Sequence, residues 1–105
     1  MIAAMRIDAF VVLHEDRYET MHGDGYFAYY AAAFATRAEA EAFIQGAQLA
    51  SPKAMVAYHL RTGTLTNESG AWTMTAALER GERIDTNGDG VATDWAAVAR
   101  RLGAL

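Results

Sequence analysis

Residues 83–98 read RIDTNGDGVATDWAAV, and oxygen-bearing side chains recur there at every second position. Asp85, Asn87 and Asp89 alternate, and Gly90 follows. That spacing matches the first half of a calcium loop of the D-x-[DN]-x-[DN]-G type. Calcium is a hard cation that takes about six to eight oxygens, so side chains must converge from alternate positions while a glycine makes the sharp bend. Val91 stands where such a loop offers a backbone carbonyl. The position that normally supplies a bidentate carboxylate is Ala96, and Asp94, two residues earlier, is the nearest substitute. The calcium reading therefore uses Asp85, Asn87, Asp89, Val91 and Asp94, with an affinity in the roughly millimolar range. The other reading needs no cofactor. Asn-Gly and Asp-Gly are tight-turn dipeptides, Asp and Asn side chains bond their own backbone, and an acidic residue at a helix start suits the helix dipole.

The histidines His14, His22 and His59 show no metal-binding spacing, and zinc would need three or four converging ligands. His14 and His59 become neighbours if their strands pair, and with Tyr58 they are the candidates for acid–base chemistry. Tyr18, Tyr26, Tyr29 and Tyr30 offer large amphipathic contact area and are the candidate partner-binding residues, although ordinary cross-strand packing accounts for most of them. No nucleophile elbow, Walker loop or dinucleotide glycine pattern is present. No catalytic residue is assigned, and the expectation is a protein that is not an enzyme.

Three kinds of element must position these groups. RIDAFVVLHE, residues 6–15, is a strand with Ile7, Ala9, Val11 and Leu13 on one face and Phe10 and Val12 on the other. Apolar residues on both faces place it centrally in its sheet or under a partner that covers its second face. YFAYYAAAF, after the turn signal MHGDG, is a second strand with Tyr26, Ala28, Tyr30, Ala32 and Phe34 on one face. Thr36 and Glu39 form a capping box, and Ala40, Phe43, Ile44 and Ala47 recur at helical spacing before Ser51-Pro52. AMVAYHLRTG, residues 54–63, alternates as a third strand. Residues 66–82 fit helix or strand: Met74, Ala77 and Leu78 with Gly81 suggest helical turns, Thr73 and Thr75 a strand. TDWAAVARRL is a final helix, with Thr93 as N-cap, Trp95, Val98 and Leu102 facing the core, and Gly103 as the stop.

The expected fold is α+β: an antiparallel sheet of about three to four strands with a packed central helix and a C-terminal helix, ferredoxin-like in character. One domain is expected over 1–105, with a core at 6–63 and an appendix at 64–105 that carries the 85–94 loop. The formal charge of −4 disfavours nucleic acid. The absence of cysteine excludes disulfides and thiolate chemistry, and the interrupted apolar stretch AFVVL is too short for a membrane span. A cytoplasmic protein that meets a protein partner or a second copy is the expectation.

FVVLHEDRYE, YYAAAFATRAEAEAFIQ, AMVAYHL and SGAW together resemble a recurrent type of small bacterial α+β protein, over roughly residues 7–74. The resemblance implies an immunity or inhibitor role for some members, exerted by surface complementarity. Three expectations follow: a non-catalytic binding module, a calcium-stabilised binding domain, or a cofactor-free enzyme on a ferredoxin-like dimer.

Overall fold

The computed structural model describes residues 5–16, 27–50 and 57–103. The chain forms β1 (Met5–Asp16), β2 (Phe27–Phe34), α1 (Arg37–Ala50), β3 (Tyr58–Glu68), β4 (Ala71–Ala76), β5 (Glu82–Arg83) and α2 (Trp95–Arg101). The strands make one mixed sheet in the order β4-β3-β1-β2-β5, curled into a half-barrel, with 49% strand against 26% helix. β5 lies parallel to β2; the other neighbours are antiparallel.

This corrects the expected architecture, which was a smaller, all-antiparallel sheet built around a packed helix. Residues 66–82 are the main source of the difference. They supply the end of β3, all of β4 and the first residue of β5, and no helix. The turn between β3 and β4 is Ser69-Gly70, with φ of 60° and 85°. Positive φ at both central residues is the hairpin turn that matches strand twist. α1 is also less central than expected. Its capping box forms, with Glu39 N–H donating to Thr36 Oγ1 at 3.2 Å, yet only Ala40 is buried and Phe43 stays 37% exposed.

β1 holds the middle position, and its two apolar faces explain why. Ala9, Val11 and Leu13 point inward and Val12 outward, and all four are buried. On β2 the expected alternation breaks at Ala31, where the register slips so that Val12 faces Ala32 while Leu13 faces Tyr30. The bulge turns Ala28, Tyr30 and Ala33 inward and Tyr29, Ala32 and Phe34 outward.

The inner face is filled from α2 and from Ile84 just after β5. Val11, Leu13, Ala28 and Ile84 form one cluster; Ala33, Leu65, Val98 and Ala99 form another. Trp95, Met74 and Tyr30 touch both, and the Tyr30 and Trp95 rings meet edge-on at 5.1 Å. Gly63 suits a close approach here: a Cβ there would stand 2.8 Å from Met74 Sδ and 3.1 Å from the Thr75 carbonyl. The outer face carries α1 mainly over β1 and β2, and Phe43 also meets Tyr58 at the start of β3 edge-on at 6.3 Å. There Phe43 packs on Phe34 at 5.3 Å, and the Arg37 guanidinium lies over Phe10.

Candidate functional site

The sheet has two edges, and the chain treats them differently. β5 is only two residues long and carries the charged Arg83, and Thr93 ties down the backbone just after it. Thr93 Oγ1 donates to the Ile84 carbonyl at 2.7 Å, and Thr93 N–H donates to the Asp85 carbonyl at 2.9 Å. These are ordinary ways to blunt an edge.

β4 has none of them. Its sequence Ala71-Trp72-Thr73-Met74-Thr75-Ala76 contains no charge and no proline, and its pairing with β3 runs without a bulge from Glu68↔Ala71 to Gly63↔Ala76. In a two-residue hairpin the closing pair exchanges both backbone bonds, and bonded pairs then alternate. Ala71, Thr73 and Thr75 therefore direct N–H and C=O to β3, and Ala77 N–H continues the series onto the Thr62 carbonyl at 3.0 Å. The N–H and C=O groups of Trp72 and Met74 point the other way, and so does the N–H of Ala76. Among the described residues none bonds to these groups. Unpaired edge groups of this kind are a template for another strand.

The side chains along this edge are ordered by face. Trp72, Met74 and Ala76 turn inward, half-buried against α2 and Ile84. Thr73 and Thr75 are exposed on the outer face, in line with Thr62, Thr64 and Thr66 of β3, and Thr66 and Thr73 bond through their hydroxyls at 3.2 Å. An open groove lies beside the C-terminal half of β4, between Met74, Ala76 and Leu78 on one side and Arg83, Ile84 and Asp85 on the other.

A polar cluster lies inside the half-barrel. Arg61 of β3 reaches across to Glu82 of β5 with two parallel bonds of 2.8 Å, Nε to Oε1 and Nη2 to Oε2. The Glu82 side chain is 0% exposed and also accepts the Glu79 N–H at 2.9 Å. Two residues before Arg61, His59 Nε2 lies 3.7 Å from Glu15 Oε2. An imidazole beside a carboxylate can accept and return a proton. The neighbouring guanidinium is already engaged by Glu82 and so is not free to hold a substrate anion.

The other sequence candidates are dispersed. Tyr29 and Tyr30 point to opposite faces of the sheet, so they do not share a binding surface, and Tyr18 and Tyr26 lie outside the described residues. Burial pushes the Tyr30 phenol up from its ordinary pKa, partly offset by Arg101. His14 is exposed on the outer face, edge-on to Tyr58 at 5.2 Å, and is not beside His59, because β1 places Leu13 opposite His59. His22 lies outside the described residues.

In the 85–94 loop, Asn87 Oδ1 accepts the N–H groups of Asp89 and Val91 at 2.9 and 3.0 Å, and Asn87 N–H donates to the Val91 carbonyl. Asp94 caps α2, with Oδ1 accepting Ala97 N–H at 3.1 Å; it takes the capping position that the sequence pointed to at Thr93. No three His, Asp or Glu side chains among the described residues are grouped as a metal would require. Asn87 thus closes the turn, and Asp94 caps the helix, through their own side-chain oxygens. Adding calcium to a few millimolar is expected to move the melting temperature by less than about 1 °C. A rise of several degrees, lost in Asp85→Asn, would make the loop a cation site.

The β4 edge is not among the candidate residues read from the sequence, although its hairpin has a sequence signal. In TGTLTNESGAWTMTA, threonines alternate on both sides of a Ser-Gly turn dipeptide, which is a hairpin pattern. Compared with known proteins, the chain matches no family model, no curated protein and no solved structure. No helix among the described residues is long and apolar enough to cross a membrane.

Proposed function

We propose that this chain is a non-catalytic protein-binding module that takes an extended segment of its partner onto the edge of β4. The observation that carries the reading is the row of backbone groups at Trp72, Met74 and Ala76 that no described residue meets, on an uncharged strand, while at the other edge β5 is two residues long and Thr93 bonds the backbone just after it. Only another polypeptide backbone offers donors and acceptors at that repeat. Inhibition of a partner by occupying its surface, the role that the bacterial pattern implies, is one form of this binding.

The test uses a partner recovered from the native host with the intact chain as bait. The complex is expected to survive gel filtration at fixed stoichiometry. Thr73→Lys with Thr75→Lys, two exposed positions on β4, is expected to weaken it at least about tenfold, because lysine on an edge strand discourages pairing. Unchanged affinity in that variant contradicts the reading, and so does an uncomplexed chain with measurable turnover. The pair His59–Glu15 favours a second reading, a cofactor-free acid–base enzyme, whose mark would be a turnover abolished in His59→Gln with the fold intact.

A further inference from the structure

We propose that the occupant of the β4 edge is a second copy of this chain, paired antiparallel with the two-fold axis at Met74. This rests on the binding reading above and names its partner.

The backbone fixes the register. The outward groups sit at Trp72, Met74 and Ala76, an odd-membered set centred on Met74. Antiparallel pairing about Met74 sets each Met74 opposite its counterpart and each Trp72 opposite the other copy's Ala76. Every outward N–H then meets an outward C=O. The Ala76 carbonyl, which accepts Leu78 N–H at 3.0 Å, has a second lone pair for the new bond. The same segment thus serves as both halves of the interface, as a two-fold contact demands.

The side chains agree with that register on both faces. On the inner face Trp72 meets Ala76, a large residue against a small one, and Met74 meets Met74. On the outer face Thr73 stands opposite the second copy's Thr75. That extends across the interface the threonine pairing already made by Thr66 and Thr73. No charge lies within β4, so two copies of a chain with net charge −4 meet at a stretch where neither repels the other. A foreign strand could satisfy the backbone, but the large-against-small and threonine-against-threonine matches are properties of β4 paired with itself.

The chain has no cysteine, so introduced thiols report contacts directly. In the proposed register, residue 73 of one copy and residue 75 of the other form a non-bonded pair with Cα atoms about 4.5 Å apart, within disulfide reach. Residues 73 and 73 are diagonal at roughly 7–8 Å, which is beyond it. Mixing Thr73→Cys with Thr75→Cys under mild oxidation is expected to give a covalent dimer of one of each. Either variant alone should give at least about tenfold less. Sedimentation of the unmodified chain should show a dimer, Thr73→Lys with Thr75→Lys a monomer, and an equimolar mixture of that variant with Thr73→Glu, Thr75→Glu a dimer again. A native chain that stays monomeric at every concentration, or cross-links that form equally in all three cysteine experiments, overturns self-pairing. If that monomer still holds a host partner through β4, the binding reading survives and the second copy alone is excluded.

Discussion

Replacing Arg61 with methionine is expected to lower the stability of the fold by about 3–5 kcal/mol, because it leaves the Glu82 carboxylate buried without its guanidinium. Glu82 is fully shielded from solvent, and Arg61 meets it with two bonds of 2.8 Å. The pair spans from β3 to β5, strands separated in the sheet by β1 and β2. It can do so only because the sheet curls, so the bond also holds the curl. For a chain of this size such a loss is a large share of the whole stability, and it corresponds to a fall in melting temperature on the order of 15–30 °C. Denaturant unfolding measures it. The double change Arg61→Met, Glu82→Leu is expected to recover most of the loss, since an apolar pair of similar volume removes the cost of burying both charges. A single Arg61→Met variant within about 1 kcal/mol of the parent would show that the bond does not hold the barrel.

Leu65→Ala is expected to cost about 2–5 kcal/mol, through lost burial and the cavity left behind. Leu65 is fully buried and sits between the sheet and α2, in the cluster with Ala33, Val98 and Ala99. α2 has only seven residues, too few to be stable as an isolated helix in water, so its helicity depends on this contact. Circular dichroism should therefore show lost helical signal before the sheet melts. Thr64→Ala, one residue earlier and on the opposite face, touches Asp8 at a partly exposed site and should stay within about 0.5 kcal/mol. Equal effects at the two positions would contradict the assignment of faces on β3.

How much of this was legible in the sequence depends on how local each cause is. β1 was readable because Phe10, Val11, Val12 and Leu13 put apolar groups on both faces, which needs cover on both sides, and the middle place in the sheet supplies it. The start of α1 was readable because Thr36 and Glu39 act within one turn. α2 was readable from Trp95, Val98 and Leu102, although its cap moved from Thr93 to Asp94. Thr93 instead bonds the backbone just after β5, at Ile84 and Asp85.

What could not be read depends on contacts distant in the chain. Nothing around Ala31 marks a bulge in a run of small residues; it forms because Leu13 must face Tyr30 for both to reach the core. The parallel seat of β5 beside β2 involves two residues and follows from the Arg61–Glu82 bond, 21 positions apart. Met74 and Leu78 have helical spacing while Thr73 and Thr75 alternate as in a strand, and it is the pairing with β3 through the Ser69-Gly70 turn that decides for the strand over residues 71–76. The candidate site followed the same rule. The loop at 85–94 advertised itself by side-chain type, whereas the β4 edge is built from backbone groups, which carry no letter in the sequence.

The most direct test of the account is amide hydrogen exchange at β4, read residue by residue in the free chain and in its complex. Thr73 and Thr75, bonded to β3, should be protected in both. Trp72 and Met74 should exchange quickly when free and slow by at least about a hundredfold when bound. If these two amides exchange as fast in the complex as in the free chain, while protection arises elsewhere, the partner does not bind at this edge and the central claim fails.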